Sequence, residues 1–542
     1  MRRSLAAVLV ALSTGLAVLP ATATSSAEPG SPAATTSAAT AASAASALPG
    51  ADAEVTSLEA ARRTLREATQ VLTGEAVPAA ARRSTAAAGA PAAGRPDATL
   101  LLRDLLVALP VLPAAEQAQA QALLARPTDG GRDPYGDGYA VKSRKKCSSH
   151  FCLHYVTSTG DQPSSTAWAK KNLKVLNKVW RKEVKQMGYR APVKDGGRGG
   201  NGKFDVYLKE LGSKGLYGYC APEYRKKGTK FVASGYCVLD NDFAQAQYGA
   251  PPIKSLKVTA AHEFFHAVQF AYDFNEDRWL MESTATWMEE RVADGADDNR
   301  QYLGSGQVKM PVSSLDVFQP NGFAQYGNWP FWEYLSGRFG NGIVKAVWNK
   351  AGAFKGAPNM YSAKALRKTI GKRGGGLPSV FAAYAASNTN PARFYPEGAA
   401  WPKAGFTKRV TLTSASRKSS ASVRINHLAS RNIGVRPGAG LGGKKWGLRI
   451  TVDAPGRASG PAVHVLVRNK KGAWTRKTVP LNKKGYGRKT VSFGYRKISG
   501  VTITLANAST RYRCNRGTNL SCRGTSLDQG KKFKVKLKAV KR

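Results

Sequence analysis

The chain has 542 residues, with 82 Lys and Arg against 35 Asp and Glu and a formal net charge of +47. A minimal disulfide scaffold and an acidic disordered protein are both excluded, and 42% hydrophobic with 9% aromatic residues is enough for at least one sizeable core. Past the N-terminus no uncharged apolar run reaches the roughly 18 residues that mark a membrane span; the most apolar later stretch, residues 100–112, is broken by Arg103, Asp104 and Pro110.

Met1-Arg2-Arg3 supplies a basic start, residues 5–18 an apolar stretch, and Ala21-Thr22-Ala23 a small-residue cleavage site. Together they predict a secretory signal peptide over residues 1–23 and an extracellular protein with no membrane span once it is removed. Residues 24–50, almost all Ala, Ser, Thr and Pro, cannot offset their own ordering entropy and read as a disordered linker. In residues 51–126, Leu58, Leu65 and Leu72 recur at sevens, and Leu101, Leu105, Leu106 and Leu109 follow helical spacing. An Ala/Pro/Gly stretch, residues 77–96, separates these two runs, and the whole predicts a helical pro-region or accessory segment. The six cysteines, Cys147, Cys152, Cys220, Cys237, Cys514 and Cys522, are an even, locally spaced set suited to an oxidising compartment, with nearest-neighbour disulfides the preferred pairing.

Residues 127–402 form the candidate catalytic domain, aromatic-rich and mixed in secondary structure. An amphipathic helix is predicted over residues 162–187, and strands over 204–208 and 235–239, the latter entering the polar turn Asp240-Asn241-Asp242. Residues 258–271 read as a helix carrying His262-Glu263-Phe264-Phe265-His266. Histidines at i and i+4 emerge on one face and can reach one metal ion, zinc by default, while Glu263 is offset and free to act as a base. A turn, residues 273–277, leads to a second helix over residues 279–290, which can return past the first and present one carboxylate as a third ligand. Glu282, Glu276, Glu289 and Glu290 are the candidates, and the last three also read as a solvated acidic face.

Trp279, Leu280, Glu282 and Ala285 match W-L-x-E-x-x-A, and with the HExxH helix they make the region resemble the gluzincin zinc metallopeptidases. The resemblance covers about residues 100–335 and extends to secreted bacterial metalloproteases through residues 205–208, 215–220 and 235–240. It implies a zincin-like domain with a mixed sheet, zinc held by His262, His266 and Glu282, and Glu263 as general base on the attacking water. Fifteen residues separate His266 from Glu282, a few fewer than in familiar gluzincins, so the connecting loop must be tighter. Gluzincins bind extended peptide on an edge strand before the zinc helix, for which residues 235–239 are the candidate. They place an oxyanion donor, Tyr or His, after the third ligand, and Tyr326 is the choice here. A carboxylate or carbonyl partner for the first histidine is expected, and Asp240, Asp242 and Glu289 are the carboxylates available. Residues 294–299 are acidic enough for calcium but lack the EF-hand pattern and read as a solvated loop. No cysteine precedes Cys147, so any latency would be steric or use a ligand other than thiolate.

Residues 403–542 show short β-branched runs at 448–452, 463–467, 490–493, 501–505 and 533–537, predicting an antiparallel β-sandwich. From residue 401 onward there are 34 basic residues and only two acidic ones, Asp453 and Asp528. The fold class expected is therefore α+β. The function expected is a secreted zinc peptidase acting on protein or peptide substrates, as an endopeptidase. The rival reading is an inactive protein whose basic module holds an anionic cell wall or polysaccharide; no motif points to specific nucleic-acid binding.

Overall fold

The computed structural model describes residues 57–74, 97–130, 138–442 and 445–542. The expected signal peptide, the linker and the Ala/Pro/Gly stretch lie outside the described residues. Helix α1 (Leu58–Thr73) starts on Ser57, whose hydroxyl accepts from Ala60 N at 3.2 Å, and stops at Gly74 in the left-handed conformation. Helix α2 (Ala98–Ala108) is capped by Asp97, which accepts from Leu100 N at 2.9 Å, and α3 (Ala114–Leu124) follows the Pro-containing turn at Leu109–Val111. Their leucines Leu65, Leu72, Leu105 and Leu106 are buried in the same cluster as the central region, so this helical segment is part of the main core.

Two arginines tie the segment down. Arg103 donates to Asp104 and to the Glu276 carbonyl, while Asp104 also pairs with Arg278. Arg126, 2% exposed, makes a two-pronged contact with Glu223 at 2.6 and 2.8 Å and reaches Asp205 at 2.5 Å and Asp195 at 2.8 Å. A buried cation is tolerated because each face of its guanidinium fork meets a carboxylate.

The central region is built on a five-stranded mixed sheet: β1 (Arg144–Cys147), β2 (Phe151–Tyr155), β3 (Phe204–Lys209), β4 (Gly218–Arg225) and β5 (Ala233–Asp240), in the order β1-β2-β3-β5-β4. Strands β2, β3 and β5 run parallel, and β4 is antiparallel to β5. The expected edge strand, residues 235–239, is therefore interior, and β4 is the edge. Helix α4 (Thr166–Trp180) and the long α5 (Pro252–Asp273) pack beside the sheet. Phe264 of α5 wedges among Phe151, Phe204 and Trp180 with ring centroids 5.1–5.6 Å away; burying a phenylalanine stabilises by roughly 1.5–3 kcal/mol. The opposite face of α5 meets α6 (Arg278–Ala293), itself buried along nearly its whole length. Trp279 of α6 stacks on Trp332 of α7 (Trp329–Phe339), and their indole nitrogens reach Ser362 and Ser283 at 2.8 Å each.

The C-terminal region contains a sheet ordered β11-β10-β13-β8-β6 and another ordered β12-β9-β16-β7, whose inner faces share one hydrophobic cluster. Here β6 is Lys408–Leu412, β7 Lys418–Ile425, β8 Ala429–Pro437, β9 Trp446–Asp453, β10 Pro461–Asn469, β11 Trp474–Thr478, β12 Tyr486–Ser492, β13 Ile498–Asn507 and β16 Lys531–Lys541, while the short β14 (Tyr512–Arg513) and β15 (Thr525–Ser526) pair with each other. Each predicted run falls in one of these strands, except that 490–493 extends one residue past β12. Pairing is antiparallel except between β6 and β8, which run parallel, a departure from the expected fully antiparallel arrangement. In β16, Phe533, Val535, Leu537 and Ala539 point inward while Lys532, Lys534, Lys536 and Lys538 are exposed, as the strand's period of two requires. The protein is α+β. The cysteines form Cys147–Cys152, Cys220–Cys237 and Cys514–Cys522, and among the described residues no helix is long and apolar enough to cross a membrane.

The central and C-terminal regions meet at a buried polar hub. Asp316 accepts from His427 at 2.9 Å, from the Tyr512 hydroxyl at 2.5 Å and from Ser521 N at 3.0 Å. Asp277, just before α6, accepts from Ser362 and from Cys522 N.

Candidate metal centre

Helices α5 and α6 run antiparallel across a short turn, so Gln269 meets Met281 while His262, two turns earlier, meets Glu289. Between these contacts sit His262, His266 and Glu282, one ligand atom of each lying within 4.8 Å of the others. His262 Nε2 is 3.2 Å from Glu282 Oε2, and His266 Nε2 is 3.5 Å from Glu282 Oε1. The far nitrogens are held as well: His262 Nδ1 by Glu289 at 2.7 Å and His266 Nδ1 by Gln269 at 2.8 Å, whose amide in turn donates to the Met281 carbonyl and to Thr284. Both rings thus aim Nε2 at one point.

A divalent cation suits this donor set. Glu282 is fully buried, and its Oε1 has no hydrogen-bond donor; two imidazoles and a carboxylate are the protein ligands of an open zinc site. The electrostatics agree. Burial, then Asp97, pushes the Glu282 carboxyl well above the usual range. Burial works to lower His262, but the bonds to Glu282 and Glu289 outweigh it and hold the ring well above its ordinary value. Burial and the charge of His262 push His266 down to about 3, leaving it neutral and ready to coordinate.

Glu263 lies beside this cluster and lines a cleft together with Leu216, Gly218, His262, Tyr302 and Tyr326. Burial pushes its carboxyl up to about 8, eased by His262 and reinforced by Asp97. Gly218, which opens the edge strand β4, is where that strand and Glu263 come together: a Cβ there would stand 3.0 Å from Glu263 Cγ and 2.9 Å from the Val238 carbonyl. Tyr326 stacks over His262 with centroids 6.1 Å apart, and its hydroxyl donates to Asp97 at 2.5 Å.

The structure thus brings together all five residues singled out from the sequence: His262, Glu263, His266, Glu282 and Tyr326. Of the carboxylates proposed to orient the first histidine, Glu289 does so. Asp240 instead accepts from the backbone of Leu211, Gly212 and Phe243, and Asp242 from Ala244 N. The expected solvated acidic face is not found, since Glu276, Glu289 and Glu290 are all buried, enclosed by the turn and by the elements packed on α6. The expected solvated loop at residues 294–299 is exposed at Asp294, but Asn299 is buried and donates to Glu290 at 2.9 Å.

Three site neighbours escaped the sequence reading. Asp97 and Thr99 come from the helical segment, and Thr99 Oγ1 donates to Glu263 at 3.2 Å while accepting from Cys220 N at 2.9 Å. The one available signal was Asp97 standing before an apolar helical run, where it reads only as a cap. Tyr302, stacked 5.1 Å from Tyr326, carried none. No family model matches the chain, and no curated protein matches it.

Proposed function

We propose that this protein is an exported zinc-dependent peptidase of the gluzincin kind, with a zincin-like central domain and a C-terminal β-sandwich. The observation that carries the reading is the convergence of His262, His266 and Glu282 on one point beside a buried glutamate and an edge strand. Zinc, when bound, supplies a Lewis acid that lowers the pKa of water and polarises the substrate carbonyl. Glu263, buried next to His262 and lining the cleft, is placed to accept the proton of the attacking water and return it to the leaving amine. Tyr326 offers a hydroxyl to the oxygen on which negative charge develops. Strand β4, eight residues long, offers backbone groups to an extended peptide on both sides of the bond to be cut, which favours internal cleavage.

The test is zinc content per chain together with mass-spectrometric mapping of cuts in a mixed peptide library. Wild type and Glu263→Gln should each hold one zinc, His266→Ala should hold none, and the cuts should fall by about 10²-fold or more in Glu263→Gln. A wild-type chain without zinc, or identical cuts in both proteins, would overturn the reading.

A second reading, attachment to an anionic cell wall or polysaccharide, draws on the outer face of the sheet containing β16. Lys532, Lys534, Lys536 and Lys538 are exposed there, paired in register with Arg424, Ser422, Ser420 and Lys418 of β7. Such a face binds polyanions by counterion release, so retention on an anionic polymer should fall steeply between 50 and 200 mM salt, as a general property of such contacts at roughly those concentrations. Retention that ignores salt would count against it.

A further inference from the structure

The outer face of the sheet β11-β10-β13-β8-β6 carries a groove of about 980 Å³ whose lining includes four cations, Arg409, Arg436, Arg468 and Lys470, and no acid. All four are exposed, and among the described residues none lies within ion-pair distance of a carboxylate. Strand register sets their places. Thr411 of β6 stands beside Arg436 of β8, and Arg468 of β10 stands between Gly500 of β13 and Trp474 of β11. Strand β13 separates β8 from β10, so at a strand spacing of about 4.8 Å the backbones of Arg436 and Arg468 lie roughly 10 Å apart. Gly500 keeps the floor between them low, since a Cβ there would meet nothing nearer than the Val435 carbonyl at 3.8 Å. Further along the same face the helix Leu377–Ser387 packs on β10 and β13, where Leu466 and Thr504 are buried, so the groove is the part of the face left open.

Aromatic rings steady three of these cations. Arg409 lies over Phe406 at 4.5 Å, Arg468 over Trp474 at 5.7 Å and Lys470 over Tyr495 at 4.2 Å. A ring face holds a cation without neutralising it, so the charge stays available and less side-chain freedom is lost when an anion arrives. Cations set in a row without counterions fit a chain that carries repeated negative groups, which arginine forks grip in pairs of hydrogen bonds. The hydroxyls of Thr411 and Thr502 in the same lining suit a chain rich in hydroxyls of its own. Nucleic-acid bases need open ring faces for stacking, and here a cation already covers one face of each ring. We propose that this groove is the selective binding site for an acidic polysaccharide, whose carboxylate or phosphate groups are held by Arg409, Arg436, Arg468 and Lys470. The proposal rests on the attachment reading for the kind of partner, and it moves the selective contact from the lysine face of β16 to the opposite sheet.

The experiment titrates the full chain with four oligomers of matched length: a galacturonic acid oligomer, a phosphomannan, an uncharged mannan and single-stranded oligothymidylate. Each titration is run at roughly 50 and 200 mM salt, because contacts made by counterion release alone fade over that range. Two double variants remove equal charge from exposed positions: Arg436→Gln with Arg468→Gln in the groove, and Lys534→Gln with Lys536→Gln on β16. At the higher salt one or both acidic sugars should still bind, which identifies the anionic group, and the uncharged mannan should not. The groove pair should weaken that binding by about tenfold or more, and the β16 pair by about twofold or less. Binding confined to the lower salt and weakened equally by the two pairs would overturn the groove and leave attachment by charge alone standing. Oligothymidylate bound more tightly than either acidic sugar would overturn the inference in favour of nucleic acid. No binding of any anionic oligomer at either salt would overturn both the groove and the attachment reading.

Discussion

Glu289 Oε1 lies 2.7 Å from His262 Nδ1, and through that ring Glu289 orients the nitrogen that faces Glu282. The carboxylate is buried, and burial pushes it up to about 7 against the pull of His262. It therefore serves the site through the imidazole, fixing which ring nitrogen carries the proton and sharpening the basicity of the other. Glu289→Gln should lower metal affinity by about 10- to 100-fold with little loss of fold, measured by competition with a chelating dye. Unchanged affinity would mean that His262 needs no orienting partner.

Gly218 is small for a reason of proximity. With a Cβ 3.0 Å from Glu263 Cγ and Thr259 Cγ2 and 2.9 Å from the Val238 carbonyl, Gly218→Ala must displace Glu263, Thr259 or the edge strand. The expected result is a peptidase rate reduced by about tenfold or more with full metal content. A variant with wild-type rate would show that the cleft relaxes around the methyl.

Cys220 and Cys237 face each other across β4 and β5, and their disulfide closes a sequence separation of 17 residues. Closing a loop of that size is worth about 3 kcal/mol through the unfolded chain. The double variant Cys220→Ala, Cys237→Ala should lose about that much in denaturant unfolding, and β4 should exchange its amide hydrogens faster than β3. Equal exchange would place the stabilisation elsewhere.

The pair Asp316 and His427 makes the joint between central and C-terminal regions pH-dependent. Burial works to raise Asp316, but His427 and the hydroxyl and amide donors outweigh it and hold it down to about 2. Burial works to lower His427, but Asp316 outweighs it and raises the ring. For the depressed acid, the stabilisation is present above its unfolded pKa of about 3.9 and lost as pH falls toward 2. For the raised histidine it is complete below the unfolded pKa of about 6.5 and lost as pH rises through the folded value. Stability from this pair should therefore peak between about pH 4 and 6.5, on the order of 2 kcal/mol, and His427→Gln should flatten that part of the pH profile of unfolding. A profile unchanged by the substitution would mean that Tyr512 and Ser521, rather than His427, hold Asp316 in its ionised form at the joint.

What the sequence made legible was local. The i, i+4 histidines, the Glu282 motif three positions into its helix, the leucine repeats of α1 and the alternating lysines of β16 each state their geometry within a few residues. What it hid was long-range. Whether residues 235–239 lie at an edge depends on β4 folding back outside them, a pairing that no periodicity reports. The burial of Glu276, Glu289 and Glu290 depends on what packs over α6. Thr99 reaches Glu263 from 164 positions earlier in the chain, and a lone threonine at the start of a leucine-rich helix looks like any other.

Arg126 carries a last consequence, for anyone who would shorten this chain. A composition map draws a boundary at residues 126 and 127, yet the Arg126 guanidinium is riveted between Glu223, Asp205 and Asp195. A fragment begun at residue 127 would leave three acids facing one another with their shared counterion cut away. The seam that looks best for the scissors is thus the worst place to cut, and trypsin, which seeks arginine, finds this one sealed inside the fold.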